Sequence, residues 1–310
     1  MPSISQVLER TGVTLFERGW LSSNNVLIQG SASGPRALID SGYCSHADQT
    51  LALVTSALGT APLDLLLNTH LHSDHCGGNA ALQSRFPHLS TLIPPGAADA
   101  VAIWDSEALT YDPTGQQCPR FRFDGLLVPG QEVLLGDWRW QVHGAKGHDP
   151  HSIVLYQADN GLLISADALW QNGFGVVFPE LEGVSAFDEV EETLDLIETL
   201  APAVVIPGHG PLFQDVAGAL ERARSRLARF RDAPVQHLRH AHKVLIKFRL
   251  LEWQSIERQA LLRWAMATPY LRQAMPLESA EACETWLITL LAELERSQAL
   301  RQEGDLIINC

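Results

Sequence analysis

The sequence predicts an α/β domain over residues 1–214 followed by a mainly helical domain over residues 215–310. Two observations support this division. Between residues 13 and 212, short β-like runs alternate with turns and helical stretches, whereas the remainder contains almost no β-like alternation. In addition, a chain of 310 residues with 46% hydrophobic content is long enough to bury a large core and does not have the composition of a disordered chain.

The predicted strands of the first domain are short, and turn residues or helical stretches separate them. They are Asn25-Gln29, Ala37-Ile39, Leu63-Leu67, Leu89-Ile93, Trp138-His143, Ile153-Tyr156, Leu162-Ile164 and Ala203-Ile206. Helical periodicity is clearest in Ala47-Leu58 and Phe187-Leu200, where apolar residues recur at intervals of three and four. These helices would cover the faces of the sheets.

In the second domain, Pro234, Pro269 and Pro276 predict breaks between successive amphipathic helices. The helix-like sequence Trp286-Leu291, followed by the short apolar run Leu306-Ile308, also looks like a small winged-helix module.

Charge is distributed unevenly along the chain. The net charge is -14 and the pI is about 5.2, so the molecule as a whole repels polyanions. However, the segment 221–249 holds nine of the 22 Lys and Arg residues against only two acids. This basic segment would bind anionic substrate groups, bind nucleic acid, or form a solvated helical face, and the solvated face is the favoured interpretation.

Cysteine usage and the N-terminal sequence indicate a cytoplasmic location. The five cysteines are odd in number and lack C-x-x-C spacing, which predicts reduced thiols. No secretory signal pattern opens the chain, and no apolar run approaches the roughly 20 residues that span a bilayer. No membrane contact is expected.

The segment Asn68 to His75 concentrates side chains that bind metals. It supplies His70, His72, Asp74 and His75 directly after a predicted strand. Residues two apart on an extended chain point the same way, so His70 and His72 would converge on one ion. Asp74 and His75 follow the turn and would face a second ion.

A catalytic zinc ion usually takes three protein ligands and keeps one position for water, so a third imidazole is required. His148 lies in a short loop between two predicted strands and is the preferred candidate over His143 and His151. Asp167 and His209 each follow an apolar strand, and strand-end loops commonly carry functional groups.

This H-x-H-x-D-H motif, followed by a His, an Asp and a His after later strands, resembles the metallo-β-lactamase superfamily over residues 13 to 215. The resemblance implies a four-layer αββα fold. It also implies a dinuclear site, in which His70, His72 and His148 hold one metal, Asp74, His75 and His209 hold the other, and Asp167 bridges them. Asp40 matches the family's acidic residue near the site and would support a ligand imidazole.

The expected cofactors are two Zn²⁺ ions, although Fe or Mn would also suit such ligands. Two cations about 3.5 to 4 Å apart lower the pKa of a bridging water and polarise a substrate oxygen. The predicted reaction is therefore attack by a metal-bridging hydroxide on a small ester, thioester or lactone carbonyl, as in glyoxalase II-like enzymes. Asp74, which would orient the hydroxide, and Asp167 are the predicted catalytic residues.

Two other activities occur on similar scaffolds. A nuclease acting on RNA or DNA is the first alternative, supported by the basic segment and the winged-helix resemblance. An iron-dependent persulfide oxidoreductase is the second. A true β-lactamase is disfavoured, because its sites usually carry another residue at the position of Asp167.

The expected partner is a small acyl substrate, and its pocket is the least defined part of the prediction. Trp20, Trp104, Trp170 and Phe174 would line an apolar acyl pocket, and His151 would shape its mouth. The segment Tyr111 to Phe123 or the helical tail would cover the site or form a homodimer contact.

Overall fold

The protein is described from a computed structural model covering residues 3–31, 34–276 and 278–310. Its strands are β1 (Val13–Phe16), β2 (Asn25–Ile28), β3 (Ala37–Ile39), β4 (Leu65–Leu67), β5 (Ser90–Ile93), β6 (Gly125–Leu126), β7 (Glu132–Leu135), β8 (Trp138–Gly144), β9 (Ile153–Gln157), β10 (Leu162–Ala166), β11 (Val204–Pro207), β12 (Ser255–Glu257), β13 (Leu300–Glu303) and β14 (Leu306–Asn309).

Its α-helices are α1 (Ile4–Thr11), α2 (Ala47–Leu58), α3 (Ser73–Cys76), α4 (Asn79–Arg85), α5 (Ala98–Ile103), α6 (Tyr111–Thr114), α7 (Phe187–Leu200), α8 (Val216–Asp232), α9 (Pro234–Trp253), α10 (Arg258–Ala267), α11 (Pro269–Arg272) and α12 (Ala280–Arg296). Both predicted helices of the first domain are present with the predicted bounds, as α2 and α7. Strands β1, β6 and β7 had not been predicted.

Two mixed sheets form the centre of the first domain. The first sheet orders its strands β1-β2-β3-β4-β5-β6, and the second orders them β11-β10-β9-β8-β7. Strand β3 runs parallel to β4, and β10 runs parallel to β11, so the carboxyl ends of each pair lie at one edge of their sheet. The predicted site residues follow these ends.

Alternation of side chains along each strand packs the sheets into four layers. In β2, Val26 and Ile28 face the second sheet, whereas Leu27 faces outward toward α2 and α4. In β10, Leu162 and Ile164 face the first sheet, whereas Leu163 faces α7 and α8. The result is a four-layer αββα fold followed by a mainly helical C-terminal region.

The C-terminal region packs around one core, which also includes Val176 and Leu181 of the segment after β10. Apolar residues of α9, α10 and α12 are buried together with Leu300 and Ile307 of a small sheet ordered β12-β14-β13. After α9 the order of elements is β12, α10, α11, α12 and the terminal hairpin of β13 and β14. The region is mainly helical, as predicted, and its strands of three or four residues give too short a sequence pattern to detect.

The predicted boundary at residue 215 coincides with the start of α8. Helix α8 begins there, with the Asp215 side chain accepting a hydrogen bond from the Gly218 backbone N–H at its N-terminus. However, Leu220 and Leu227 of α8 are buried with α7 against the second sheet, whereas the separate C-terminal core begins with α9. The two cores therefore divide between α8 and α9. Among the described residues, no helix is both long and apolar enough to cross a membrane.

Candidate metal centre

Three strand ends and one loop bring the predicted ligands together. The H-x-H-x-D-H segment follows β4, Asp167 follows β10, His209 follows β11, and His148 lies in the loop between β8 and β9. Backbone hydrogen bonds join these segments: the Gly208 N–H donates to the Ala166 carbonyl at 2.7 Å. Parallel pairing of β10 with β11 thus delivers a carboxylate and an imidazole to the same edge.

The first group of ligands consists of three buried imidazoles. The Nε2 atom of His148 lies 2.9 Å from Nδ1 of His72 and 3.2 Å from Nε2 of His70. Helix α3 begins immediately after His72, which has an extended backbone, so the chain turns between the two halves of the motif. Three ring nitrogens facing one point is the geometry of a three-histidine cation site.

The second group combines two imidazoles with a carboxylate. Nε2 of His209 lies 3.0 Å from Oδ2 of Asp74, and Nε2 of His75 lies 3.9 Å from the same oxygen. Asp167 lies between the groups: its Oδ1 is 3.5 Å from Nε2 of His75, and its Oδ2 is 3.5 Å from Nε2 of His148. The structure therefore places Asp167 where it would bridge two cations.

Hydrogen bonds behind the imidazoles fix which nitrogen faces the site. Nδ1 of His75 lies 2.7 Å from Oδ2 of Asp40, so Nδ1 carries the proton and Nε2 presents its lone pair. Asp40 in turn accepts hydrogen bonds from the backbone N–H and hydroxyl of Thr69 at 2.9 and 2.8 Å. Nδ1 of His148 likewise donates to the Val176 carbonyl at 2.5 Å.

The electrostatics of the two groups differ. Burial and then the neighbouring His75 lower the pKa of His70 well below its ordinary value, and burial and then His148 lower the pKa of His72 to about 4. Burial also opposes charge on His75, but Asp40 and then Asp167 outweigh it and raise its pKa well above the ordinary range. His70 and His72 therefore offer neutral imidazole ligands, whereas the carboxylates around His75 favour a positive charge beside them.

The donor set fits two cations. Nε2 of His75 is buried without a hydrogen-bond partner and faces two carboxylates, Asp74 at 3.9 Å and Asp167 at 3.5 Å. Converging imidazole lone pairs that are buried away from water are unfavourable unless a cation or proton occupies the space between them. Imidazole and carboxylate ligands suit zinc, iron or manganese.

Two glycines allow the close packing of this centre. A Cβ atom on Gly208 would lie 2.1 Å from Oδ1 of Asp167, and one on Gly175 would lie 2.4 Å from Nδ1 of His148. Any side chain at either position would displace a predicted ligand. Gly78, which follows the motif, also lies close to neighbouring backbone, since a Cβ there would lie 2.5 Å from the Ser41 carbonyl oxygen.

A cavity of about 570 Å³ opens beside the ligands. Trp20 and Trp170 form one wall, and both lie against His209: the Trp20 ring stacks on the imidazole at 5.3 Å, and the Trp170 ring packs edge-on at 5.6 Å. The indole N–H of Trp170 also donates to Oδ1 of Asp167 at 3.2 Å. Phe178, which sequence reasoning missed, packs against His72 and lines the opposite side.

Several predicted pocket residues lie elsewhere. Phe174 is buried among the core residues beneath α7 and α8, because its ring packs against Phe230. Trp104 packs with Tyr111 and Phe121 outside the cavity. His151 is exposed and borders only a small separate depression next to His70. These assignments to the main pocket are therefore corrected.

The competing residues near the motif have other contacts. His143, the alternative third imidazole, lies on β8, where its Nε2 forms a hydrogen bond of 3.0 Å with Oε1 of Gln141. Cys76 is buried, and its thiol contacts the Tyr111 hydroxyl at 3.2 Å and Cys118 at 3.7 Å. Among the residues that the structure describes, the candidate ligand groups contain no cysteine.

Comparisons with known proteins agree with this geometry. A family model described as the metallo-beta-lactamase superfamily matches residues 18–209. A hydroxyacylglutathione hydrolase of Xanthomonas euvesicatoria pv. vesicatoria (strain 85-10) is 31% identical over 214 residues, which is 68% of this chain and 71% of that protein. The acyl-coenzyme A thioesterase MBLAC2 of Homo sapiens is 25% identical over 154 residues, which is 47% of this chain and 55% of that protein.

A solved structure supports the fold over nearly the whole chain. The beta-lactamase domain protein from Burkholderia ambifaria superposes with a TM-score of 0.57 at 21% identity, covering 96% of this chain and 91% of that one. The chain aligns with about half or less of the length of several curated relatives that it matches.

Proposed function

Because the chain belongs to the metallo-beta-lactamase superfamily, we propose that it is a dinuclear metal-dependent hydrolase that cleaves a small acyl ester, with a thioester as the preferred class. One observation carries the proposal: three imidazoles converge on one point, a second His/Asp group lies beside it, and Asp167 lies between them. The two adjacent cation positions would therefore face the same open cavity.

Two bound cations would supply the activation of water and the polarisation of the acyl carbonyl. The chain's own residues position the reactants. Asp74 lies at the cavity with an oxygen able to accept a hydrogen bond from the attacking water, and Trp170 holds Asp167 from the other side. Asp40 keeps His75 in the tautomer that points its lone pair inward.

A thioester is preferred because of the relatives and the cavity. The proteins named hydroxyacylglutathione hydrolase and acyl-coenzyme A thioesterase act, by their names, on acyl groups carried by thiols. The cavity lies within the range of about 300 to 1,000 Å³ that holds small-molecule ligands. It therefore has room for both an acyl group and part of a carrier thiol.

Two features weigh against the nuclease alternative. Helix α12, which precedes the terminal hairpin, carries Glu281, Glu284, Glu293 and Glu295 and would repel a phosphate backbone. Six of the nine Lys and Arg side chains of the basic segment also form ion pairs with carboxylates of the chain. We therefore keep hydrolysis of an acyl carbonyl as the single proposed function.

The test is an assay of the purified protein with and without a metal chelator. The panel contains an acyl-coenzyme A, S-lactoylglutathione, a homoserine lactone, a cephalosporin and single-stranded RNA. We expect turnover of a thioester that the chelator abolishes and added zinc restores. Turnover that survives complete metal removal, or cleavage of RNA alone, would overturn the proposal.

The bridging role of Asp167 has its own test. Asp167→Ala removes the carboxylate between the two groups, so we expect loss of turnover with the fold retained by circular dichroism. Metal analysis should show reduced binding as well. Wild-type activity in this variant would refute the bridging assignment.

A further inference from the structure

The far wall of the cavity comes from the helices that carry the basic segment. Arg226 of α8 and His240, Lys243 and Lys247 of α9 line the same cavity as His72 and Asp74. The only acidic residues in that lining, among the described residues, are the proposed metal ligands Asp74 and Asp167. The charged groups distant from the metal centre are therefore all basic.

Most of the basic segment is neutralised by nearby carboxylates. Six of its nine cations form ion pairs: Arg222 with Asp215, Arg224 with Asp195 and Glu198, Arg231 with Asp188 and Glu191, Arg239 and Lys243 with Glu293, and Arg249 with Glu252. A broad positive surface is therefore absent from the described part of this segment. Arg226, Arg229 and Lys247 are left without an Asp or Glu partner in the described part of the segment, and of these Arg226 and Lys247 line the cavity.

Arg226 is the most unusual member of that set. It is half-buried, and its guanidinium packs against Gly173, where a Cβ atom would lie 2.6 Å from Nη1. Nη1 donates to the Phe174 carbonyl at 3.2 Å, and no carboxylate in the described residues pairs with the side chain. Its remaining N–H groups are free to bind an anion in the cavity.

Lys243 and His240 lie next to Arg226. His240 and Lys243 are three residues apart on α9 and therefore lie on the same side of that helix, and both line the cavity with Arg226. Burial and then the charges of Arg226 and Lys243 lower the pKa of His240 to about 4. Lys243 lies 3.2 Å from Glu293, but that carboxylate also accepts from Arg239 at 2.9 and 2.6 Å. One carboxylate shared by two cations leaves positive charge at the cavity wall.

Lys247, by contrast, is occupied. Its ammonium donates to the Ala299 carbonyl and the Asn309 side chain, each at 2.5 Å, and to the Cys310 carbonyl at 2.8 Å. It therefore anchors the end of the chain to α9 and contributes only its aliphatic stem to the wall.

We propose that Arg226, Lys243 and His240 form an anion subsite that binds the carboxylate or phosphate of the leaving thiol of an acyl thioester. Arg suits this role because its planar guanidinium binds such groups in a fixed, two-pronged geometry. The inference rests on the proposed function for the reaction: water adds to the acyl carbon, the C–S bond breaks, and the sulfur takes a proton and leaves as a thiol. The anion subsite adds to this reaction the place where the leaving thiol binds.

Binding of free thiols tests the subsite independently of turnover. Trp20 and Trp170 line the same cavity, so their fluorescence should report occupancy during titration with coenzyme A, glutathione or inorganic phosphate. Coenzyme A offers phosphates and glutathione offers carboxylates, so the tighter ligand identifies the anion. We expect saturable binding of at least one thiol, and about tenfold weaker binding to Arg226→Gln, equivalent to about 1.4 kcal/mol.

The matched control is Arg229→Gln, which removes the same charge from the same helix. Arg229 is exposed and does not line the cavity. A general electrostatic effect would weaken both variants equally, whereas a local subsite weakens only Arg226→Gln. Lys243→Gln provides a second variant should loss of Arg226 disturb the loop at Phe174, and Arg226→Lys should recover part of the binding.

Kinetics complete the test. For variants at Arg226 and Lys243, the ratio of kcat/KM for the preferred anionic thioester to that for an uncharged acyl thioester should fall about tenfold, mainly through KM. Absence of thiol binding to the wild type, or equal weakening in Arg229→Gln, would overturn the subsite even if thioesters are hydrolysed. Thiol binding that depends on Arg226, without hydrolysis of any thioester, would instead overturn the proposed function.

Discussion

Replacing Asp40 with Asn isolates the contribution of one buried carboxylate to metal binding. Asp40 is 2% exposed, has a φ of 57°, and holds Nδ1 of His75 at 2.7 Å. Asn tolerates this left-handed backbone, so the substitution changes charge without adding strain. In one orientation the Asn side chain presents its NH₂ group to the ring N–H of His75, which needs an acceptor. In the other orientation it presents an uncharged amide oxygen in place of the carboxylate.

The expected magnitude follows from that contact. A hydrogen bond to a charged group contributes about 1.5 to 3 kcal/mol, and loss of such a partner behind a metal ligand typically lowers metal affinity about 10- to 100-fold. We expect this loss at the cation position served by His75, with the position served by His70, His72 and His148 nearly unchanged.

A competition titration against a chromogenic zinc chelator would resolve the two affinities. Asp64→Asn is the matched control, since Asp64 is a partly exposed carboxylate that accepts from the Arg36 backbone N–H at 2.8 Å on the same sheet. Wild-type affinity for both zinc equivalents in Asp40→Asn would refute the argument that this carboxylate orients His75.

Three further predictions concern packing, a hydrogen bond and pH. Gly208→Ala should displace the Asp167 carboxylate, because its Cβ would lie 2.1 Å from Oδ1, and metal content should fall by at least half. Trp170→Phe keeps an aromatic side chain but removes the indole N–H that donates to Asp167 at 3.2 Å, so kcat should fall several-fold, by about the contribution of one hydrogen bond, while Tm stays nearly constant. The wild-type free energy of unfolding should fall between about pH 7.5 and about pH 5, and in His237→Gln this fall should be smaller by about 2 kcal/mol.

The sign of the pH effect follows from the burial of His237. Burial and then the charges of His240 and His242 lower its pKa to about 4, below the value of about 6.5 in an unfolded chain. The unfolded state therefore binds more protons between these values, and stability is complete above about pH 6.5 and is lost as the pH falls toward 4. Denaturant titration at the two pH values measures it, and an unchanged pH dependence in His237→Gln would contradict the assignment.

Controls separate the other two effects from general damage. Trp138→Phe removes an indole hydrogen bond to the Arg10 carbonyl far from the site and should leave kcat unchanged. Gly19→Ala adds a methyl group where nothing lies within 4 Å and should retain full metal content. Equal losses in Trp138→Phe and Trp170→Phe, or normal metal binding in Gly208→Ala, would show that the contacts named here do not matter.

The sequence predicted the assembly of the candidate ligands because their spacing depends on local geometry. The positions of Asp167 and His209 follow from the apolar strands that precede them, whereas His70 and His72 lie in the turn beyond the end of β4. Parallel pairing then brings these strand ends to one edge of each sheet. The αββα layers were expected from the family resemblance, and the opposite directions of Val26 and Leu27 agree with them.

The cavity could not be predicted in this way because it depends on how separate units pack together. The periodicity of α9 shows which residues are apolar but not that Lys243 faces the cavity beside the metal ligands. Phe174 and Phe178 are both aromatic residues in one connecting segment, and only their packing shows that the first is core and the second lines the site. The charge that remains on the basic segment likewise could not be predicted, because the sequence does not show which carboxylates pair with it.

The division between α8 and α9 assigns reaction and selectivity to different stretches of the chain. The proposed metal ligands precede residue 210, whereas much of the wall facing them belongs to a helix with its own core. Substitutions along α9 can therefore alter which carrier molecule is accepted while the reacting end stays intact. A lineage could acquire a new substrate by exchanging residues 234–310, and libraries for directed evolution should randomise α9 together with Arg226 of α8.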